Sequence, residues 1–273
     1  MKIILLILLF VMVYIVLCNH QINNKEHFTF ETTGQVIPYP DRVIVITLAS
    51  RPDRINVFKK NYMSSGLTIP MQKYNAVNGK ELNLKTINLS PLALQELEDV
   101  KNKGFRTKHY QLTPGAIGCY LSHYNIWKQA YDGDWKSTLI FEDDAKIPTD
   151  FEQKLSVALH NLHSTTPDWD IFILDVLCRD CIPHDGDIIK VKKFYLLHAY
   201  IIRDTGVKKI IDSGMSFPIK QQVDWMLSQN TKLLNIYSLQ NGIVKQSGSP
   251  TDIQAPLLTT KGIDPFKEVD TLK

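Results

Sequence analysis

Val43-Ile-Val-Ile46, inside the run Arg42-Val-Ile-Val-Ile-Thr-Leu48, is apolar at every position and β-branched throughout. A half-wet strand alternates polar and apolar residues, so a short run apolar on both faces reads as a strand covered on both. Largely apolar runs that also read as strands recur at Ser137–Phe141, Asp170–Leu174, Tyr195–Ile202 and Leu233–Tyr237, and Met71–Val77 reads as a further strand before an Asn78-Gly79 turn. Helical patterns lie between them. The alternation predicts an α/β fold, a mostly parallel sheet flanked by helices.

The helix signals are specific. After Ala49-Ser-Arg-Pro-Asp-Arg54, with Ser50 or Asp53 as the expected cap, Ile55, Phe58 and Tyr62 share a face up to Gly66. A short helix is expected over Pro91–Val100. Thr113-Pro114 is a strong start, with Thr as N-cap and Pro in the first turn. Ile117, Tyr120, Tyr124 and Trp127 then recur at helical spacing. Further helices are expected from Asp150, over Thr205–Ser213 and over Val223–Ser228. The basic stretch Lys101–His109 has two readings, a solvated loop and a loop beside a phosphate-bearing substrate.

The chain of 273 residues carries 31 basic and 28 acidic side chains, a balance that gives no electrostatic case for binding nucleic acid. Residues 3–18 form an uncharged apolar run, about 24 Å long as a helix at 1.5 Å per residue. It reads as a signal-anchor or a cleaved signal; Val16, Leu17 and Cys18 make a poor cleavage site, which favours a single-pass anchor. The expected organisation is a hydrophobic signal-anchor at 1–18, a polar stem at 19–40, a catalytic domain at 41–255 and a tail at 256–273. The domain then faces a lumen or the exterior, or is secreted if the segment is removed. Cys178-Arg-Asp-Cys181 is a lone CxxC with no second pair for a zinc site; a local disulfide and free thiols both remain open. Cys119 reads as a small core residue.

Leu139-Ile-Phe-Glu-Asp-Asp-Ala145 places three consecutive carboxylates at the carboxyl end of a buried strand, where open α/β sheets bind ligands. Like charges there raise each other's pKa unless a cation compensates, and a hard divalent cation with oxygen ligands does so. The alternative is an acidic turn before the next helix. Arg51 and Arg54 follow the first strand and suit a nucleotide's phosphates or base. His123, among apolar neighbours, reads as a satisfied buried histidine, and so does His198.

The stretch Leu112-Thr-Pro-Gly-Ala-Ile-Gly-Cys-Tyr-Leu-Ser-His123, with Trp127 and Phe141-Glu-Asp-Asp-Ala145, resembles glycosyltransferase family 25. Val43–Leu48 with Arg51, Asp53 and Arg54, and Ala76-Val-Asn-Gly79, are similar to its opening elements, so the likeness spans roughly residues 42–253. Many members carry an acidic residue where Ala116 stands.

That resemblance implies a GT-A fold in which a DxD-type element holds Mn²⁺, or another divalent cation, against a UDP-sugar. Asp144 is then the expected metal ligand and Glu142 a metal or ribose contact. Asp143, Arg51, Arg54, Ser122, His123 and Gln246 are expected around the donor. An inverting transfer needs a carboxylate base; Asp224 is the candidate, with Trp225 offered to a sugar ring, and Asp175 the reserve. His198 is a further possible metal ligand. The implied reaction moves a sugar, expected to be galactose, to a glycan, a lipid-linked saccharide or a hydroxylysine of a collagen-like protein. A catalytically silent nucleotide-sugar-binding protein and another metal-dependent nucleotide transferase are the alternatives.

Overall fold

A computed structural model describes residues 39–108 and 110–248. The expected anchor at 1–18, nearly all of the stem, and the tail at 256–273 lie outside the described residues. Among those described, no helix is long and apolar enough to cross a membrane.

The strands are β1 (Arg42–Thr47), β2 (Met71–Asn75), β3 (Ser137–Glu142), β4 (Ala145–Lys146), β5 (Ile171–Ile173), β6 (Leu177–Asp185), β7 (Ile188–Tyr195), β8 (Ala199–Arg203), β9 (Ile236–Leu239) and β10 (Lys245–Gln246). The α-helices are α1 (Pro52–Met63), α2 (Pro91–Lys103), α3 (Pro114–Asp132), α4 (Phe151–Thr165), α5 (Asp204–Asp212) and α6 (Val223–Gln229). The main sheet runs β2-β1-β3-β8-β5-β9-β7-β6, and β10 pairs with β4 in a separate two-stranded ribbon.

The expected parallel order holds where β2, β1 and β3 lie side by side, and again between β5 and β9. Elsewhere the sheet is mixed. β8 runs against both β3 and β5, and β6 and β7 form an antiparallel hairpin joined to β9. That hairpin is where sequence reading and structure part. β6 is exposed along most of its length and carries no apolar alternation, so nothing in its pattern announces a strand. The single run expected over Tyr195–Ile202 is two strands, broken at Leu196, whose φ of 77° ends β7. Cys178 and Cys181, within β6, are joined by a disulfide.

The period-2 register of the apolar runs sorts side chains onto two faces. Val43, Val45, Leu139, Phe141, Phe172 and Ile201 pack with Ile55 and Phe58 of α1 and Phe151, Leu155 and Leu159 of α4. Ile44, Ile46, Ile140, Ile173 and Tyr200 pack with Ile117, Tyr120 and Trp127 of α3, Leu97 of α2, Ile210 of α5 and Leu227 of α6. Both faces are dry, as the opening run requires.

Caps set two of the helices. Thr113 Oγ1 accepts from Ala116 N at 3.0 Å, as the sequence predicts. Ser90 Oγ accepts from Ala93 N at 3.1 Å, and Gly104, at φ 76°, ends α2. The last turn of α2 therefore takes Lys101 and Lys103 out of the expected loop. At α1 neither Ser50 nor Asp53 caps; Arg51 holds that position without a side-chain bond, and Asp53 pairs with Arg51 instead.

The N-terminal half of α3 sits directly on the turn after β2. A Cβ on Gly118 would overlap the Val77 carbonyl oxygen and stand 2.8 Å from Gly79 N, while one on Gly79 would overlap the Pro114 carbonyl. Ser122 closes the contact, accepting from Val77 N at 2.8 Å and donating to Gly118 O at 2.7 Å. Gly118→Ala is therefore expected to destabilise the protein by about 1–3 kcal/mol through overpacking against backbone. A gain in helix propensity of about 1 kcal/mol works against that loss. A lowered urea midpoint at unchanged m-value checks this; an unchanged midpoint would show that the turn can retreat.

Candidate functional site

β8 runs antiparallel beside β3, so the start of β8 and the end of β3 meet at one edge of the sheet. A pocket of about 360 Å³ opens there. Its wall takes Thr47, Leu48, Arg51 and Arg54 from the end of β1 and the start of α1, and Asn78–Lys80 from the turn after β2. Gly115, Ala116, Cys119 and Ser122 come from α3, Glu142–Asp144 from the end of β3, and Leu196–His198 from the break before β8. Gln222–Asp224 at the start of α6 and Gln246 of β10 complete it.

The acidic triplet splits into three different environments. Asp143 turns toward α1: Thr47 donates to its Oδ2 at 2.6 Å and Arg54 to its Oδ1 at 3.3 Å. Burial raises its pKa, opposed by those two donors. Glu142 turns toward α3, where His123 Nε2 lies 3.1 Å from Oε1 and the Cys119 thiol donates at 3.6 Å. Burial pushes this carboxyl up, but the hydrogen bond from His123, with that from Cys119, opposes it, and Glu142 lies below its ordinary range.

Asp144 is the one left short of partners. Gln246 donates to its Oδ2 at 3.0 Å, and its Oδ1 is buried with no hydrogen bond among the described residues. Burial and the charges of Glu142 and Asp143 raise its pKa to about 6. A buried oxygen without a donor beside a second carboxylate fits a hard divalent cation, so Asp144 and Glu142 are the residues that could hold one.

Asp224, in the first turn of α6, faces the same pocket. Its carboxylate accepts from Trp225 N at 2.9 Å and from Leu196 N at 3.3 Å. Burial raises its pKa to about 7 against those bonds, with the charge of Glu142 adding to the rise. Leu196 pays a left-handed backbone, about 1–2 kcal/mol for a residue with a Cβ, and its N–H is thereby aimed at Asp224.

Most of the expected residues meet at this edge: Arg51, Arg54, Ser122, Glu142, Asp143, Asp144, Asp224 and Gln246 line it, with His123 directly behind Glu142. Others stand elsewhere. Asp175 is not on the wall, because the chain from Gly242 to Lys245 crosses the end of β5; Ile243 N bonds Leu174 O, and Lys245 pairs with Asp175 at 2.9 Å. Trp225 is likewise off the wall, and no residue of Lys101–Lys108 reaches it. Ser122 uses its hydroxyl on the backbone. Cys119 packs against the core, as expected, and also lines the wall.

His198 belongs to the break before β8, not to a strand. It is 1% exposed, its two ring nitrogens have no hydrogen-bond partner among the described residues, and Asp175 Oδ2 lies 3.6 Å from Nε2. Burial lowers its pKa, with Glu142 and Asp175 opposing. Sequence reasoning missed Lys80, Leu196 and Gln222. The Asn-Gly turn before Lys80 was a usable signal; nothing local marks Leu196.

The family model of glycosyltransferase family 25 (LPS biosynthesis protein) matches residues 41–227. The chain belongs to that family. The match takes in every wall residue named above except Gln246. The chain is 26% identical to procollagen galactosyltransferase 2 of Homo sapiens, over 71% of its own length and 32% of the relative's. It is 30% identical to procollagen galactosyltransferase 1-A of Xenopus laevis, over 63% of the chain and 28% of the relative. It is also 33% identical to the inactive glycosyltransferase 25 family member 3 of Homo sapiens, over 63% and 29%. The chain thus spans about a third of the length of these curated relatives, or less.

The raised carboxylates make a prediction about the family 25 domain without metal. Asp144 and Asp224 hold their protons to about 6 and about 7 when folded, whereas an unfolded Asp releases its own near 3.9. The folded state binds more protons between those values, so their contribution to stability falls as pH rises from about 4 to about 7. In chelator, Asp144→Asn is expected to flatten that fall relative to wild type and to raise the melting temperature at pH 7. Thermal melts across the range check it, and a variant with the wild-type slope contradicts the assignment.

Proposed function

We propose that the domain is an inverting, metal-dependent glycosyltransferase that moves a sugar, galactose, from UDP-galactose to a hydroxyl acceptor. The observation that carries this reading is the meeting in one pocket of a half-buried Asp144, whose Oδ1 is buried without a partner among the described residues, and a half-buried Asp224 whose pKa is raised to about 7. A base that must collect a proton near neutrality is best tuned close to the working pH.

On this reading Asp144 and Glu142 hold Mn²⁺ or a similar divalent cation. A cation bound there supplies Lewis-acid neutralisation of the departing diphosphate. Arg54, Lys80 and Arg51 lie on the same wall and give the phosphates cationic neighbours. Asp224 takes the proton of the acceptor hydroxyl as its oxygen bonds the anomeric carbon and the carbon–oxygen bond to UDP breaks, leaving UDP as the anion. Attack opposite the leaving group inverts the anomeric centre.

The acceptor is a glycan, a lipid-linked saccharide or a hydroxylysine of a collagen-like protein; the procollagen galactosyltransferases among the relatives support the last. Residues 1–18 are proposed to anchor the enzyme in a membrane with the domain lumenal or exterior, and the Cys178–Cys181 disulfide suits such an oxidising compartment. The inactive relative favours one second reading, a silent domain that binds the nucleotide sugar without turning it over.

Release of nucleotide from a panel of nucleotide sugars, with Mn²⁺ and acceptors, separates the two. UDP release from UDP-galactose supports the transferase; UDP binding without release on any donor supports the silent domain. In the active case kcat/KM should rise with pH and level off above about 7. Asp224→Asn should lower kcat at least about 10²-fold, the scale of general-base catalysis, while UDP affinity stays within about twofold. Undiminished transfer by that variant removes Asp224 from the mechanism.

A further inference from the structure

Behind Glu142 runs a chain of buried polar contacts that the pocket itself does not use. Trp127 Nε1 donates to the Tyr200 hydroxyl oxygen at 2.9 Å. The same oxygen lies 2.9 Å from His123 Nδ1, and His123 Nε2 lies 3.1 Å from Glu142 Oε1. Trp127, His123 and Tyr200 are each 0% exposed, on α3 and β8, and none of them lines the pocket, whereas Cys119 and Glu142 do.

The direction of every bond follows from counting protons. An indole N–H only donates, so Trp127 occupies one lone pair of the Tyr200 oxygen. Tyr200 then has one proton to place. Its buried phenol is held far above its ordinary pKa, chiefly by desolvation, so that proton stays on the oxygen. His123 Nδ1 is the acceptor within reach, and a buried hydroxyl proton left without one costs about 1–3 kcal/mol. Nδ1 must therefore be the bare nitrogen of the ring. The ring proton sits on Nε2, and Nε2–H points at Glu142.

We propose that Trp127, Tyr200 and His123 are positioning residues: together they lock the Nε2–H tautomer of His123, which holds Glu142 Oε1 and leaves the second carboxylate oxygen to the pocket. The proposal rests on the donor-site reading of Glu142 for its effect on turnover, but not for its geometry. Cys119 Sγ, His123 Nε2 and a Glu142 oxygen lie within 4.8 Å of one another, a spacing that also suits a metal ion. Protons already fill that space, since Nε2–H and the thiol both donate to Glu142.

The lock explains why the two partners come from different elements. His123 and Trp127 are one turn apart on α3, and Tyr200 lies on β8 opposite Ile140 of β3, two residues before Glu142. The Tyr200 hydroxyl thus ties β8 to two residues of α3. The carboxylate at the end of β3 is therefore held in register with the helix that forms the opposite wall.

Two measurements on the full chain test this. In protein labelled with ¹⁵N-histidine, the His123 resonances, assigned by their loss in His123→Gln, should show a protonated Nε2 and a bare Nδ1. Tyr200→Phe should erase that fixed pattern. A ring with its proton on Nδ1, or on both nitrogens, overturns the proposal, and this result needs no substrate. In the turnover assay, His123→Gln keeps an amide donor and a carbonyl acceptor and should retain kcat/KM within about fivefold. His123→Leu should lose at least about 50-fold. Equal losses in Gln and Leu variants that both melt cooperatively would reduce His123 to packing and overturn the positioning role. Absence of turnover in the wild type would instead fail the transferase reading and leave the spectroscopic result to decide the lock.

Discussion

Three carboxylates in a row at the end of a strand buried on both faces cannot share one environment, and the architecture around the site follows from keeping them apart. Successive residues leaving a strand point in different directions, and the chain meets each one with a different element. Asp143 is met by the hydroxyl at the end of β1 and a guanidinium from α1. Glu142 is met by an imidazole and a thiol from α3. Asp144 is met by an amide from β10 and, among the described residues, keeps one oxygen unanswered. The asymmetry matters: Asp143 has a donor on each oxygen, Glu142 has both of its donors on one oxygen, and Asp144 is the least satisfied of the three among the described residues.

The same division explains the otherwise uncomfortable features nearby. α3 must come close enough for His123 to reach Glu142, and that approach leaves no room for a Cβ at Gly79 or Gly118. β8 must run against β3 so that Leu196 and His198 arrive at the edge where β3 ends. Leu196 then takes a backbone conformation that favours glycine, and its amide holds Asp224. The strained residue, Leu196, sits directly on a carboxylate, and functional sites commonly store strain in this way.

How much of this was legible in the sequence depends on the range of the interaction. Val43–Ile46 announced a two-face-buried strand because burial acts on each residue of a run, and Thr113-Pro114 announced α3 because a cap is local chemistry. The acidic triplet was visible for the same reason. The β6–β7 hairpin was not, since β6 is an exposed edge with register shifts and no apolar period. Nor was the fate of Asp175, which ends a strand as expected but is covered by a segment from Gly242 onward, far along the chain. Tyr200 looked like one more apolar strand residue; only the pairing of β8 with β3 brings its hydroxyl to His123.

The clip between Gln246 and Asp144 spans 102 residues of sequence and joins two two-residue strands into the ribbon that closes the acidic edge. During synthesis, β1, β2, β3 and α3 all leave the ribosome well before residue 245, and they already contain most of the pocket. Until Gln246 is in place, Asp144 lacks the one side-chain amide that reaches it among the described residues. A chain arrested or nicked just short of that point would keep nearly all of its core and still present an open, more strongly acidic mouth.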